Sequence, residues 1–319
     1  MSWLVTGGAG YIGSHIVNGL VKAGLQVVVI DDLSTGRHDR IPAGVPFIQG
    51  SLHDSHCLDE AFGHHITGVV HVAAKKRVDE SLQEPSRYYY ENVEALRLLL
   101  DRCVRVGVQN FLFSSSAAVY GAPLSTPVDE ATPCVPTTPY GHSKLAGEWL
   151  TQAVGRASGM RTLALRYFNV AGAASPALGD TFAANLVPIV LDALSRGDSP
   201  HIYGDDYPTP DGTCIRDYVH VADVADAHVV AAKLLEAGTI PTGQTLNVGG
   251  GQGTSVRQII DMAVAITGID VKPVIEPRRA GDSPVVVAAV DRAAQQLGWS
   301  ATRGLADMIE STWRARVAR

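Results

Sequence analysis

The run Thr6-Gly7-Gly8-Ala9-Gly10-Tyr11-Ile12-Gly13 sits directly after the apolar stretch Trp3-Leu4-Val5 and directly before Ile16 and Leu20, which recur at helical spacing. A strand, a glycine turn and a helix are predicted in that order. Gly7, Gly10 and Gly13 stand in a G-x-x-G-x-x-G spacing. Glycine allows positive φ in the turn, lets a pyrophosphate approach the backbone and seats the helix on the strand. The first helical amides then donate to the anion. A second predicted strand ends at Asp31 and Asp32, about 20 residues beyond the glycines, where a carboxylate hydrogen-bonds ribose hydroxyls and repels a 2′-phosphate. NAD is therefore expected over NADP. Arg37 and Arg40 temper that expectation, because an arginine accommodates such a phosphate. Asp31 is the better ribose ligand, and Asp32 also reads as a solvated loop acid.

Outward from this turn, short β-branched runs alternate with amphipathic stretches. Strands are expected at Trp3 to Thr6, Gln26 to Asp31, Phe47 to Gln49, Gly68 to Val72, Asn110 to Ser114 and Arg161 to Tyr167. Helices are expected at Gly13 to Ala23, Asn92 to Val106 and Tyr140 to Ser158. The fold class is α/β: a Rossmann-type doubly wound parallel sheet with a smaller mixed α/β C-terminal substrate domain. After Asn169 the texture turns to small residues, glycine, proline and acids, which puts the domain boundary near there. Residues 1–170 are expected to form the NAD-binding domain and 171–319 the substrate domain. Segments near 213–234 and 245–250 again read as strand, turn and helix and are expected to return to the first domain.

A chain of 319 residues with 46% hydrophobic content can bury a substantial core. Its net charge of -6 comes from dispersed acids and bases, with no basic block that would track a phosphate backbone, so no nucleic acid partner is expected. The N-terminus lacks a basic segment followed by a long apolar stretch, so no membrane association is expected and the cytoplasm is the expected location. Cys57, Cys103, Cys134 and Cys214 are scattered without a CxxC pair, which predicts free buried thiols. His53, His56 and Cys57 lack a second half for a metal site, and no metal is expected.

Tyr140 and Lys144 stand four residues apart, and Ser116 lies upstream. A phenol titrates near 10, so it is a poor base until its anion is stabilised. On a helix this spacing puts both side chains on one face, where an ammonium lowers the phenol's pKa by charge attraction. Reaching about 7 takes roughly 4 kcal/mol, which a close cation in a shielded pocket plus a second favourable charge can supply. With the glycine turn, these three residues form a candidate redox centre.

Several separated strings then carry a resemblance that spans the chain from the glycine turn to Trp299. They are His71-Val72-Ala73-Ala74, Glu80-Ser81, Tyr89-Tyr90-Glu91-Asn92-Val93, Phe113 to Gly121, Tyr140 to Lys144, Tyr167-Phe168-Asn169, Gly204 to Val221 and Arg278 to Asp282. The chain resembles the extended short-chain dehydrogenase/reductase family, and within it the branch that epimerises UDP-hexoses at C4. The resemblance implies that Tyr140 takes the proton of the sugar's 4-hydroxyl as hydride leaves C4 for NAD, that Ser116 holds the same oxygen, and that Lys144 holds the nicotinamide ribose. The 4-keto sugar then turns and takes the hydride back on its other face. NAD would be regenerated in each turnover and behave as a tightly held prosthetic group.

The same resemblance places Gly7, Gly10, Tyr11, Ile12, Gly13, Asp31, Asp32, Ser51, Leu52, Val72, Ala73, Ala74, Lys76, Asn92, Ser114, Tyr140, Lys144 and Tyr167 at the cofactor. At the UDP-sugar it places Lys76, Ser116, Tyr140, Phe168, Asn169, Asn185, Leu186, His201, Tyr203, Arg216, Arg279, Asp282 and Val286. Arg216 and Arg279 would grip the diphosphate, and Asp282 a ribose hydroxyl. Relatives that eliminate water carry an acid/base pair directly after the serine or threonine, whereas here Ala117 and Ala118 follow. Without that pair, hydride return is the simplest outcome. Two departures stand out. Ser51 occupies the position of an acid that meets the adenine, a contact that Asp54 could supply instead. Val286 occupies the position of a bulky aromatic in strict hexose enzymes, leaving room for an N-acetyl group. Alternatives are a 4-epimerase for UDP-glucuronate or another modified sugar, and a dinucleotide-binding regulator without turnover. A homodimer through the Asn92 and Tyr140 helices is implied by the family.

Overall fold

The computed structural model describes residues 2–123, 125–182, 185–279 and 281–318. Seven parallel strands form the main sheet: β1 (Ser2–Thr6), β2 (Gln26–Asp31), β3 (Phe47–Gln49), β4 (Ile66–His71), β5 (Asn110–Ser116), β6 (Arg161–Tyr167) and, much later in the chain, Gln244–Val248. Their order across the sheet is Gln244–Val248, β6, β5, β4, β1, β2, β3. The chain winds outward from β1 to β3 and then returns to lay β4 beside β1, so the strand order reverses there. A crevice opens at the carboxyl ends of these two strands.

Both faces of the sheet are covered, which is why its strands are nearly continuous apolar runs. On one face α1 (Tyr11–Lys22) buries Ile16, Val17 and Leu20. On the other, α2 (Ser55–Phe62) contributes Leu58 and Phe62 to a second core. After α3 (Val78–Gln83) and α4 (Pro85–Tyr89) comes a π-helical turn over Tyr90–Glu94, and α5 (Ala95–Val106) adds Leu96, Leu99 and Leu100 to that core. The expected helix start at Asn92 is therefore an irregular turn inside a longer helical stretch. π-turns of this kind interrupt helices where a side chain is needed for function. The long helix α6 (Pro139–Ser158) starts where Thr138 accepts from the Gly141 amide, a side-chain cap preceding a proline at the first helical position.

Beyond β6 the chain builds a second, smaller layer. Here β7 (Asn169–Ala171), α7 (Leu186–Arg196), β8 (His201–Tyr203) and β9 (Ile215–His220) lead into α8 (Val221–Ala237), β10 (the seventh strand of the main sheet, Gln244–Val248), β11 (Gly253–Ser255), α9 (Val256–Thr267), β12 (Val274–Glu276), β13 (Val285–Val286), α10 (Asp291–Leu297) and α11 (Leu305–Val317). β9 pairs with β7, β11 and β13, and its own core gathers Val187, Leu191, Ile202, Ile259 and Ile309. From β9 the chain enters α8 with no intervening turn, because His220 accepts from the Ala222 amide and caps the helix. α8 then packs Val224, Ala225 and Leu235 into the first core, and β10 pairs with β6. The chain thus crosses between the two layers more than once, since α10 again adds Ala293 and Leu297 to the first core. Of the cysteines, Cys103 and Cys214 are buried, while Cys57 and Cys134 are only half-buried; all four are free thiols.

Candidate active site

The crevice holds a cavity of about 370 Å³. The glycine turn forms its floor, and the geometry shows why no side chain fits there. A Cβ on Gly13 would lie 2.0 Å from the Gly7 carbonyl oxygen, and one on Gly7, whose φ is +69°, 2.7 Å from the Ala73 amide. Tyr11, Ile12, Val72, Ala73 and Ala74 line the cavity around this turn. Asp31, at the end of β2, accepts from the Ala9 amide at 2.9 Å and the Leu33 amide at 2.8 Å. Burial raises its pKa while those amides pull it down. Each carboxylate oxygen keeps a lone pair for a hydroxyl of a ligand. Asp32 also lines the cavity, although exposed and turned to the Ser34 amide. Neither guanidinium that tempered the NAD expectation is idle: Arg37 pairs with Asp39 on the surface, and Arg40 donates to the Gly179 carbonyl and the Thr181 hydroxyl.

At the opposite end lie Ser114, Tyr140, Lys144 and Tyr167. Tyr140 and Lys144 share one face of α6, next to the end of β5. The Lys144 ammonium donates to the Ser114 carbonyl at 2.9 Å and sits over the Phe113 ring. Ser116 hydrogen-bonds to the Tyr140 phenol and accepts from the Ala118 amide. In the protein alone, burial dominates both titrations. It holds the Tyr140 phenol above its ordinary value, partly offset by Ser116, and brings the Lys144 ammonium down to about 8. The expected lowering of the phenol by Lys144 is thus not reached by the chain itself, since desolvation acts on both groups. Tyr167 donates to Ser114 at 2.7 Å and also meets the buried His228.

Two expected cofactor and substrate residues stand behind the cavity wall. Asn92 accepts from the Lys75 amide at 2.8 Å and donates to the Lys75 carbonyl at 3.0 Å and to Ser143 at 2.9 Å. It ties the Lys75-Lys76 segment to α6 without lining the cavity. Ser116 reaches the site through Tyr140. Lys76 does line the cavity, with its ammonium over the Tyr11 ring.

The remaining substrate candidates lie beyond β6, and none of them lines the cavity. Phe168 and Val286 join one apolar cluster with Ala117 and Leu145. Val286 pairs in register with Arg216, and Val285 with Ile215. Arg216 donates to Asp282 at 3.3 Å and to the Ser283 carbonyl at 2.7 Å. The Arg279 guanidinium lies 3.7 Å from the Tyr203 ring centroid. His201 meets Glu276 at 3.0 Å. Asn169 hydrogen-bonds Tyr218, and Asn185 donates to the Val170 carbonyl just before Leu186 opens α7.

Residues 3–249 match the NAD dependent epimerase/dehydratase family. The chain belongs to that family. It is 46% identical over 303 residues to the UDP-glucose 4-epimerase of Azospirillum brasilense, covering 93% of this chain and 86% of that one. Among solved structures, UDP-glucose 4-epimerase from Stenotrophomonas maltophila with bound NAD and formylated UDP-arabinopyranose superposes with a TM-score of 0.94 at 38% identity, covering 100% of this chain and 98% of that one. The UDP-Glc/GlcNAc 4-epimerase from Campylobacter jejuni superposes with a TM-score of 0.88 at 34% identity, covering 100% and 99%.

The epimerase/dehydratase cavity contains groups that sequence reading did not assign to the cofactor or the sugar. His53, Glu91, Asp180, Thr181 and Phe182 all line it. Behind the site runs a buried network. Glu148, one helical turn beyond Lys144, binds Arg166 through two contacts at 2.7 and 2.9 Å, and Arg166 donates to Tyr120 at 2.8 Å. Tyr120 in turn donates to Asn247 on β10 at 2.7 Å. Glu148 also raises the Lys144 pKa against the effect of burial. The i,i+4 step from Tyr140 to Lys144 to Glu148 was the available signal for it. Among the described residues no group of three His, Cys, Asp or Glu could hold a metal, and no helix is long and apolar enough to cross a membrane.

Proposed function

We propose that this protein interconverts UDP-galactose and UDP-glucose by oxidation and reduction at C4. The observation that carries the reading is the convergence of Tyr140, Ser116 and Lys144 at one end of the dinucleotide cavity, with Ala117 and Ala118 where an eliminating enzyme needs an acid/base pair. The cavity fits NAD: its floor excludes even a methyl group at Gly7 and Gly13, and Asp31 keeps acceptor capacity at the ribose position. Gly7, Gly10 and Gly13 would hold the pyrophosphate, Asp31 the adenosine ribose, and Lys144 the nicotinamide ribose. NAD, when bound, would supply the hydride chemistry at C4 that no side chain has.

Tyr140 accepts the proton of the 4-hydroxyl and later gives it back to the 4-keto oxygen. Ser116 fixes that oxygen beside the phenol. Lys144 supplies the positive charge that favours the phenolate, and Glu148 helps to keep that lysine protonated. The keto sugar has to present both faces, and the small side chains Ala117, Ala118 and Val286 leave space for it to turn. Arg216 and Arg279 hold the diphosphate meanwhile. With valine at position 286, UDP-N-acetylhexosamines are substrates too. A coupled assay for UDP-glucose formed from UDP-galactose tests the central reading, and as-purified absorbance and mass test for bound NAD. NAD-loaded protein inert towards both sugars would sink it.

The assembly we propose is a homodimer through the outer faces of α5 and α6. Val104 on α5 and Trp149 on α6 are exposed, Trp149 by 63%, as are Leu82 on α3 and Tyr89 on α4, two helices that pack beside α6. Apolar groups so grouped cover one another when two copies pair. Sedimentation at micromolar concentration should give twice the chain mass. Four free thiols suit a reducing compartment, the cytoplasm.

A further inference from the structure

We propose that residues 172–182 form a strap across the NAD cavity, and that Arg40 is the positioning residue that fastens its tip, so that release of the cofactor waits on the Arg40 contacts. The inference rests on NAD occupying the cavity. Beyond β7 the strap leaves the second layer and runs over the start of α1. Its first half is bound from two sides. Tyr11, the first residue of α1, donates to the Gly172 carbonyl at 2.5 Å, and His15, one helical turn on, accepts from the Ala174 amide at 3.0 Å. From α11, Thr312 and Ser311 accept from the Gly172 and Ala173 amides at 3.2 and 3.1 Å. Ala173 and Leu178 are buried there.

The second half is held differently. Asp180, Thr181 and Phe182 line the cavity, and Thr181 and Phe182 are exposed. Asp180 accepts from the Phe182 amide at 3.0 Å, which turns the tip back on itself. Two guanidiniums that also line the cavity reach this tip from opposite walls. Arg40, in the short turn His38–Arg40 after β2, is buried and donates to the Gly179 carbonyl at 2.6 Å and the Thr181 hydroxyl at 3.2 Å. Its backbone is anchored in turn, because Asn18 on α1 donates to the Arg40 carbonyl at 3.4 Å. Arg77, between β4 and α3, stands 6.0 Å from the Phe182 ring centroid. β2 and β4 flank β1 in the sheet, and the glycine turn follows β1. The tip is therefore held on both sides of that turn, above the place where the pyrophosphate lies. Charge-assisted hydrogen bonds are about twice as strong as neutral ones, and an exposed cation–π contact is weaker, so Arg40 is the principal fastening. A dinucleotide seated on the glycine turn leaves only after the tip lifts, and the tip lifts only when Arg40 lets go.

The test follows exchange of bound NAD. Purified protein carrying NAD is mixed with an excess of deuterium-labelled NAD, and the labelled fraction of the bound cofactor is read by mass spectrometry over time. Arg40→Met keeps the apolar length of the side chain and removes its donors, so exchange should be at least about tenfold faster than in the wild type, the scale of a lost charge-assisted hydrogen bond. Thr181→Val removes one acceptor at an exposed position and should quicken exchange by about threefold, the scale of one ordinary hydrogen bond. The double variant should exchange no faster than Arg40→Met alone, because both changes act through the same contact. Effects that multiply would mean that Arg40 acts apart from the strap, and they overturn the assignment. Thr181→Val leaves the core untouched, so exchange at the wild-type rate in that variant overturns it as well, even if Arg40→Met fails to fold. In each of these cases the redox reading stays intact. Protein that neither carries NAD nor takes it up overturns the NAD reading and this proposal together.

Discussion

The two ends of the ligand-binding region are built from different materials. The dinucleotide end is made of backbone and buried groups already locked in place: a turn with no room for a Cβ, Asp31 tied to two amides, and Lys144 tied to the Ser114 carbonyl. At the sugar-nucleotide end, the cations are satisfied by partners they can exchange. Arg216 rests on a half-exposed Asp282, Arg279 on the Tyr203 ring, and His201 on Glu276 at the surface. The first end loses little ordering entropy on binding, and the second must give up existing contacts for each substrate. That difference suits a cofactor that stays and a substrate that is exchanged at every turnover.

The largest expected effect isolates the chemistry from both ends. Tyr140→Phe removes the proton carrier while leaving the cavity walls unchanged. Turnover of UDP-galactose should fall by about 10²- to 10⁴-fold, with bound NAD per chain as in the wild type. Loss of NAD in this variant would show that the phenol holds the cofactor as well.

A second substitution attacks the rigid end. Gly13→Ala puts a Cβ 2.0 Å from the Gly7 carbonyl oxygen, so the turn must open. With overpacking costs of about 1–3 kcal/mol, NAD affinity should drop by roughly 10- to 100-fold, read as cofactor lost on gel filtration. The exchangeable end should respond otherwise. Arg216→Ala should raise the KM for UDP-galactose by about 10- to 50-fold, in line with one charge-assisted contact, and leave NAD content alone. If Arg216→Ala released NAD, the separation between the two ends would be wrong.

The same division explains what was legible in the sequence. Thr6 to Gly13 and Tyr140 to Lys144 are contiguous, and each residue type is dictated by local geometry or charge, so both could be read directly. Alternation of apolar runs with helical periods marked the first six strands of the parallel sheet, whereas β10, with Leu246 and Val248 set among Gln244, Thr245 and Asn247, was read only as part of a segment returning to the first domain. His53 and Glu91 could not be found that way: one follows β3 and the other lies in the π-helical turn, and only the fold brings both to the cavity. The Glu148–Arg166–Tyr120–Asn247 network is equally hidden, because its members belong to four separate elements and their meaning comes from burial. The start of the Asn92 helix was misplaced because a π-turn leaves the apolar spacing nearly intact. The position of Asn92 behind the wall follows from that turn.

The smallest expected effect concerns the wall between the two ends. Val286 lies on β13, opposite Arg216 in register, and packs in the cluster of Phe168 and Ala117. Its neighbour Val285 pairs with Ile215, and adjacent strand residues point to opposite faces, so only one of the two valines can share the cluster of Phe168 and Ala117, and it is Val286. Val286→Tyr fills the space that an N-acetyl group at C2 would use, while a hydroxyl at C2 needs far less. UDP-galactose turnover should stay within about threefold of wild type, whereas UDP-N-acetylgalactosamine turnover should fall by about tenfold or more, the discrimination a hydrophobic wall can deliver against a bulkier group. Equal losses for both sugars would mean that the tyrosine disturbs the Arg216 register and the diphosphate grip rather than the pocket. Competition of the two UDP-sugars in one reaction, followed by product analysis, separates these outcomes, because a grip defect cancels in the ratio and a pocket defect does not.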